Sequence, residues 1–224
     1  MAPINMAIMN IRLLRLASNA LPIGIFAHSQ GIESASQQGL VSDEESVCAW
    51  LEGVYRAGLS KTELPILKCL YGAWSDGDDL KIANLNTLML ASRETKELWL
   101  EDQRLGAALK KILDEDTPLS RQTVLNGPQS LVSQWARAAV MWRIDENAMV
   151  QAFAFSWLEN ACLACAKLLP MGQRQVHHVM NHMFEVINET AIPPFSEDQW
   201  GPSLPGLAVL SSQHEHQQNR LFLS

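Results

Sequence analysis

Apolar residues recur along this chain at helical spacing, and turn signals cut the pattern into segments. Val47, Trp50, Leu51, Val54 and Tyr55 fall on one helical face. Ser42 and Glu45 form a capping-box pattern ahead of them, and the run stops near Gly58. Thr62 can cap the next helix, with Pro65 tolerated in its first turn and SDGDD at its end. The longest periodic region runs from Leu80 to Leu113 as two helices meeting near Ser92. Its second half pairs Arg93 with Glu97 at i,i+4 and places Lys110 and Lys111 near a C-terminus, where the helix dipole favours cations.

The turn-rich stretch DEDTPLSRQTVLNGP follows, then SQWARAAVMWRI, then a long apolar helix starting after Asp145. Pro170 and Gly172 interrupt the chain before QRQVHHVMNHMFEVINE. No alternating apolar run is bounded by hairpin turns, and no fixed-period repeat occurs. The pattern predicts an all-α fold: a single globular multi-helix domain of roughly eight to ten helices over residues 1–192, with 1–10 flexible. Four of the ten prolines lie between Pro193 and Pro205, which marks residues 193–224 as a Pro-rich linker and a mobile tail. Carrying Leu221, Phe222 and Leu223 on a frayed end makes sense if they dock somewhere, and the tail is expected to order against the core when a partner binds. On this reading the linker decouples the tail from the core.

Composition narrows the function. At 47% hydrophobic and 18% charged residues, the chain is long enough, at 224 residues, to bury a sizeable core. A net charge of −7 argues against nucleic acid as a partner, because phosphate binding needs a basic face. MAPINMAIMN lacks the features of a signal peptide. The most hydrophobic stretch, MVQAFAFSWLENACLACAKLLP, carries Gln151, Glu159, Asn160 and Lys167, so it reads as a buried helix and not a membrane span. Four cysteines without an export signal suggest reduced thiols and a cytoplasmic location.

The candidate chemistry is sparse. Cys162-x-x-Cys165 lies inside an alanine-rich helix without a second such pair, which favours buried core thiols over a metal site. His178 and His182 share a helix face beside His177, and His214 and His216 lie in the tail. These five are weak metal candidates, since neither H-E-x-x-H nor E-x-x-H occurs. A small helical metal-binding protein or metalloenzyme using them is the alternative reading. GLSKT lacks the spacing of a phosphate loop, and G-x-S-x-G is absent, so no catalytic residue is assigned.

One segment is shaped without being catalytic. In LPIGIFAHSQGIE, Pro22 and Gly24 turn the chain, and Gly31 leaves room for close packing. Ser29 can satisfy amides at a helix start, and Glu33 sits in or near the first turn, where a negative charge is favourable.

These residues also carry a resemblance. LASNALPIGIFAHSQGIE is similar to the N-terminal signature of the UreF family of urease accessory proteins, a leucine-rich helix followed by LP-G-aromatic-x-x-S-x-GLE. ASRETKELWLEDQRLG resembles the family's R-x-T-x-E-L segment, KLLPMGQ its K-L-(V/L)-P-x-G-Q stretch, and HEHQQNRLFLS its H-E-x-Q-x-x-R-L-F-x-S terminus. The four segments occur in family order and span nearly the whole chain.

The resemblance implies a dimeric helical protein with no chemistry and no tightly bound cofactor of its own, nickel being in transit. It also implies three partners: UreD (also called UreH), the GTPase UreG and apo-urease. The matching positions become the expected partner-contact set. Pro22, Gly24, Phe26, Ser29, Gln30, Gly31 and Glu33 lie in the corner, and Lys167 lies in KLLPMGQ. His214, Glu215, Arg220, Leu221, Phe222 and Ser224 lie in the tail. Phe26 stands where many relatives have Tyr, and Gln213 and Leu223 stand where Arg is frequent. The tail is therefore expected to lean on apolar contact and on Arg220.

Overall fold

The computed structural model describes residues 11–116, 127–198, 200–201 and 204–224. Residues 1–10, expected to be flexible, and most of the turn-rich connection after Asp114 lie outside the described residues. All regular structure among the described residues is helical, so the fold class is all-α. In chain order the α-helices are α1 (Ile11–Ala17), α2 (Ile32–Gln37), α3 (Glu44–Val54), α4 (Glu63–Asp76) and α5 (Asp79–Ala91). They continue with α6 (Lys96–Glu115), α7 (Leu131–Met141), α8 (Glu146–Leu168), α9 (Gln173–Glu189) and α10 (Pro205–His214). A 3₁₀ turn (Ile25–Ala27) precedes α2, and a π-helical turn (Tyr55–Leu59) extends α3.

The most apolar helices lie at the centre. α7 buries Leu131, Val132, Trp135, Ala136, Ala138 and Ala139 and packs against α4 and α6. A helix apolar around much of its circumference must be surrounded. α8 packs against α1, α2 and α9, and Phe153 meets Trp135 of α7 edge-on with ring centroids 5.2 Å apart. At Gly106, α6 comes so close to the strand of backbone entering α7 that a β-carbon would fall on the Gln129 carbonyl. α6 and α9 are amphipathic and form the rim, α9 lying across α3.

Several local expectations shift. The capping box of α3 is made by Asp43 and Ser46, not by Ser42 and Glu45. Asp43 accepts from the Ser46 amide at 2.9 Å, and the Ser46 hydroxyl oxygen accepts in return from the Asp43 amide at 3.0 Å. Thr62 does precede α4, but its hydroxyl makes no capping bond. Arg93 does not pair with Glu97. It bridges Glu63 at 2.6 Å and Asp102 at 2.9 Å, joining α4 to α6 beneath the surface. Burial works against its charge, yet Asp102 and Glu63 outweigh that and hold it firmly protonated. Arg93 precedes the helix and is free to turn inward, so helical i,i+4 geometry does not apply to it.

The linker also differs from the expectation of decoupling. Trp200 donates its indole N–H to the Thr62 carbonyl at 3.1 Å. Leu204 seats over Gly58, and Leu207 over Gly31, where a β-carbon would lie 2.5 Å from the leucine methyl. The expected tail thus begins with a helix, α10, that rests on α2 and α6.

Candidate functional site

The corner after α1 is built by backbone geometry that few sequences tolerate. Gly24 has φ 85°, and Gln30 and Gly31 follow each other at φ 51° and 84°. Two successive left-handed residues reverse the chain so that α2 starts at Ile32 with Glu33 facing inward. Ser29 Oγ accepts from the Glu33 amide at 3.3 Å, and Asn160 of α8 donates to the His28 carbonyl at 2.9 Å, which pins the corner to the core.

Opposite the corner, α6 extends its buried stripe into charge. Leu105, Leu109 and Leu113 lie on that stripe, and Glu97 and Glu101 continue it toward the N-terminus. Glu33, Glu97 and Glu101 are each under a tenth exposed. Together they line a socket, and the C-terminal tail fills it.

Each carboxylate takes part of the tail. Glu33 accepts from the amides of Leu221 at 2.7 Å and Phe222 at 2.9 Å, and His214 Nε2 lies 3.1 Å from it. Glu97 accepts from the Arg220 guanidinium at 2.6 Å, and His214 Nδ1 lies 2.8 Å from it. Glu101 accepts from the Ser224 hydroxyl and from the Gln30 side-chain amide at 2.7 Å. The backbone closes the seat. Leu223 N–H donates to the Ala27 carbonyl at 2.8 Å, and Ser29 donates both its amide and its hydroxyl to the Ser224 carbonyl at 2.7 and 2.9 Å. Burial acts to raise the Glu33 pKa, but the Leu221 amide, the His214 ring and the Phe222 amide outweigh it and hold the carboxyl below its ordinary range.

The predicted corner and tail residues are therefore brought together, with two faces. Ser29, Gly31, Glu33, His214, Phe222 and Ser224 are buried, and Gln30 is half-buried. Pro22 and Phe26 point outward, as do Leu221 and Leu223, and Glu215 sits at the rim beside Lys96. Of the apolar tip only Phe222 is inserted, while Leu221 is 63% exposed. Lys167, on the last turn of α8, holds its ammonium 5.4 Å from the Phe222 ring centre. Arg220 finds its carboxylate within this chain and not across an interface. The tail, expected to be mobile until a partner orders it, is seen here docked on its own core.

His28, Glu97, Glu101 and Asn160 belong to the site and were not singled out from the sequence. A signal for two of them existed: Glu97 and Glu101 are spaced i,i+4 on the apolar stripe of an amphipathic helix, where an unpaired charge would be costly.

The candidate histidines face separate partners. His178 and His182 each face a separate glutamate on α3, Glu44 at 3.2 Å and Glu52 at 3.3 Å, and His177 contacts Asn181. His214 is locked in the socket, apart from them, and His216 lies on the exposed tail. Among the described residues no group of three or more His, Cys, Asp or Glu is placed to hold a metal ion. Burial pushes the Cys162 and Cys165 thiols up to about 12, which makes them poor ligands and poor nucleophiles. No helix among the described residues is long and apolar enough to cross a membrane.

Comparison with known proteins is consistent throughout. The sequence model of the UreF family matches residues 41–184. The chain is 39% identical over 216 residues to the urease accessory protein UreF of Hahella chejuensis (strain KCTC 2396), covering 96% of this chain and 97% of that protein. It is 41% identical over 214 residues to the urease accessory protein UreF of Marinobacter nauticus, covering 95% and 93%. To the urease accessory protein UreF of Pseudoalteromonas translucida it is 40% identical over 220 residues, with the same coverage of 95% and 93%.

Proposed function

The chain belongs to the UreF family of urease accessory proteins, and we propose that it acts as an assembly factor for nickel insertion into apo-urease. Its role in urease maturation is accessory and non-enzymatic. In this reading a homodimer links the GTPase UreG to UreD/UreH and to apo-urease, and it modulates the GTPase. Nickel is cargo in transit and not a resident cofactor.

The observation that supports this reading best is the docked tail. It gathers sequence-distant residues into one outward face that has no catalytic geometry. Buried residues of the socket shape that face, and the exposed Pro22, Phe26, Leu221 and Lys167 supply contact chemistry. Lys167 is the candidate for touching the GTPase. Its ammonium is exposed near a helix C-terminus and held over Phe222, so a conformational change of the tail reaches it directly. A lysine that only snorkels from the end of α8 is the competing reading.

Co-purification of the full-length protein with cognate UreD and UreG tests the proposal. Lys167→Ala should fold normally and retain UreD while losing UreG and urease activation. Unchanged UreG recruitment would assign Lys167 to the snorkelling reading, and failure of the wild-type chain to bind either partner would overturn the proposal. The isolated protein should show no calorimetric binding of GTP.

A further inference from the structure

A cavity of about 100 Å³ lies between α3, α6, α7 and α8, beside the tail socket. Gln30 and Glu101, bonded to each other at 2.7 Å, belong to both walls. Its roof is the segment after Trp200: Leu204 seats over Gly58 and Leu207 over Gly31, and both leucines line it. Three residues of its wall carry buried polar atoms that find no hydrogen-bond partner among the described residues: Thr62 Oγ1, Glu63 Oε2 and Trp135 Nε1. Thr62 is 2% exposed and Trp135 1%. Such atoms are costly in a dry interior, and three around one cavity call for a polar occupant.

The orphaned atoms define its chemistry. A carboxylate oxygen accepts, an indole N–H donates, and a hydroxyl does either, so the occupant must offer both a donor and an acceptor. Acidic side chains outnumber basic ones on the wall: Glu63, Glu94, Glu101 and Asp102 stand against Arg93. The Arg93 guanidinium is already divided between Glu63 Oε1 and Asp102. An anion is therefore repelled and a cation drawn in. Among the described residues no group of three or more His, Cys, Asp or Glu is placed to hold a metal ion, whereas an ammonium group needs only hydrogen bonds and ring surface. Trp50, Trp135, Phe153 and Trp157 supply that surface. We infer that this cavity binds a small organic ammonium compound that also carries a hydroxyl group, an amino alcohol. Its ammonium donates to Glu63 Oε2 and Thr62 Oγ1, and its hydroxyl oxygen accepts from the Trp135 N–H.

Size narrows the class. By comparison with the roughly 150 Å³ cavity that holds benzene, about four or five heavy atoms fit, which is a two- or three-carbon amino alcohol. The roof ties occupancy to the C-terminal segment, because Leu207 belongs to α10, the helix that carries His214 into the socket. The site goes beyond the assembly role and does not depend on it, since every residue it uses lies in this chain.

Titration of the full-length protein with 3-aminopropan-1-ol, followed at the indole N–H resonance of Trp135, tests the site. Propane-1,3-diol is the neutral isostere, and 3-hydroxypropanoate is the anionic counterpart. The amine should shift the Trp135 resonance saturably and bind at least about tenfold more tightly than the diol, and the anion should not bind. Glu63→Gln should bring amine and diol within about threefold of each other, whereas Glu185→Gln, at an exposed position of α9, should leave the preference intact. Glu63 also meets Arg93, so Thr62→Val gives a second reading. It removes an orphaned hydroxyl at near-constant volume, and it should melt no lower than wild type while binding the amine more weakly. A cavity filled by water alone would leave the Trp135 resonance unmoved by the amine, and that result overturns the proposal. Equal affinity for amine and diol, or displacement of the amine by magnesium ion, overturns it as well.

Discussion

Replacing Glu33 by Gln removes one charge at almost constant volume, so it isolates what the carboxylate contributes to seating the tail. Its two oxygens each accept two bonds: Leu221 N–H and Gln217 on one, Phe222 N–H and His214 on the other. Glutamine has a single acceptor oxygen. In either orientation of the amide, its NH₂ group faces a backbone N–H and a second donor. Two charge-assisted bonds are lost, at roughly 1.5–3 kcal/mol each, and the lower figure applies because the NH₂ can swing aside. The cost is about 3 kcal/mol, or roughly 100-fold in the docking equilibrium. Glu33 is 3% exposed, so solvent screening subtracts little. Native-state hydrogen exchange in the full chain should show the Leu221 and Phe222 amides opening about 100-fold more readily in Glu33→Gln. Amides in α7 should keep their protection. Exchange at Leu221 and Phe222 within threefold of wild type would refute the carboxylate's role.

Other expectations follow from the same contacts. Removing residues 210–224 uncovers Leu210 and Phe222 contacts worth about 2 kcal/mol each, so the melting temperature should fall by at least roughly 5 °C, and an unchanged value would support a decoupled tail. Burial opposes the Glu33 charge, but Leu221, His214 and Phe222 hold its carboxyl below the ordinary 4.5, so this contribution to docking is complete above that pH and lost as the pH falls through the depressed value. Tail protection, corrected for intrinsic exchange, should therefore persist to about pH 4.5, and loss beginning well above it contradicts the assignment. Gly106→Ala gains helix propensity but forces a methyl onto the Gln129 carbonyl; a net loss of about 2 kcal/mol should lower the melting temperature by about 4–8 °C in calorimetry. With Cys162 and Cys165 buried and pushed up to about 12, a thiol reagent at mildly alkaline pH should label Cys48 and Cys69 in the native protein and leave the α8 pair unlabelled until unfolding.

The helical class and most helix positions were legible in the sequence. Apolar periodicity, helix-capping residues and the breaks at Gly77, Pro170 and Gly172 are local signals, and backbone sterics translate them directly into helices that start and stop near the observed places. The turn at Pro22 and Gly24 was legible for the same reason, and the close packing expected at Gly31 is met by Leu207, while the left-handed φ at Gln30 and Gly31 was not read from the sequence. The resemblance likewise rested on short segments. α10 was missed because PGLAVLSSQH follows a proline cluster and has little helical signature of its own; contact with α2 and α6 supplies what propensity lacks.

Where the charges go depends on contacts between elements far apart in the chain. Arg93 could reach Glu97 by spacing, but the fold brings Glu63 and Asp102 closer and drier, and burial makes the pairing that excludes water the stronger one. Glu33 reads locally as a helix-start acid and Glu97 as the i,i+4 partner of Arg93. Each became a buried acceptor when the tail, some 120 to 190 residues distant, supplied His214, Arg220 and the Leu221 and Phe222 amides. A carboxylate's protonation, exposure and role depend on what lies within a few ångströms in space, and chain periodicity carries no information about neighbours so far apart in sequence.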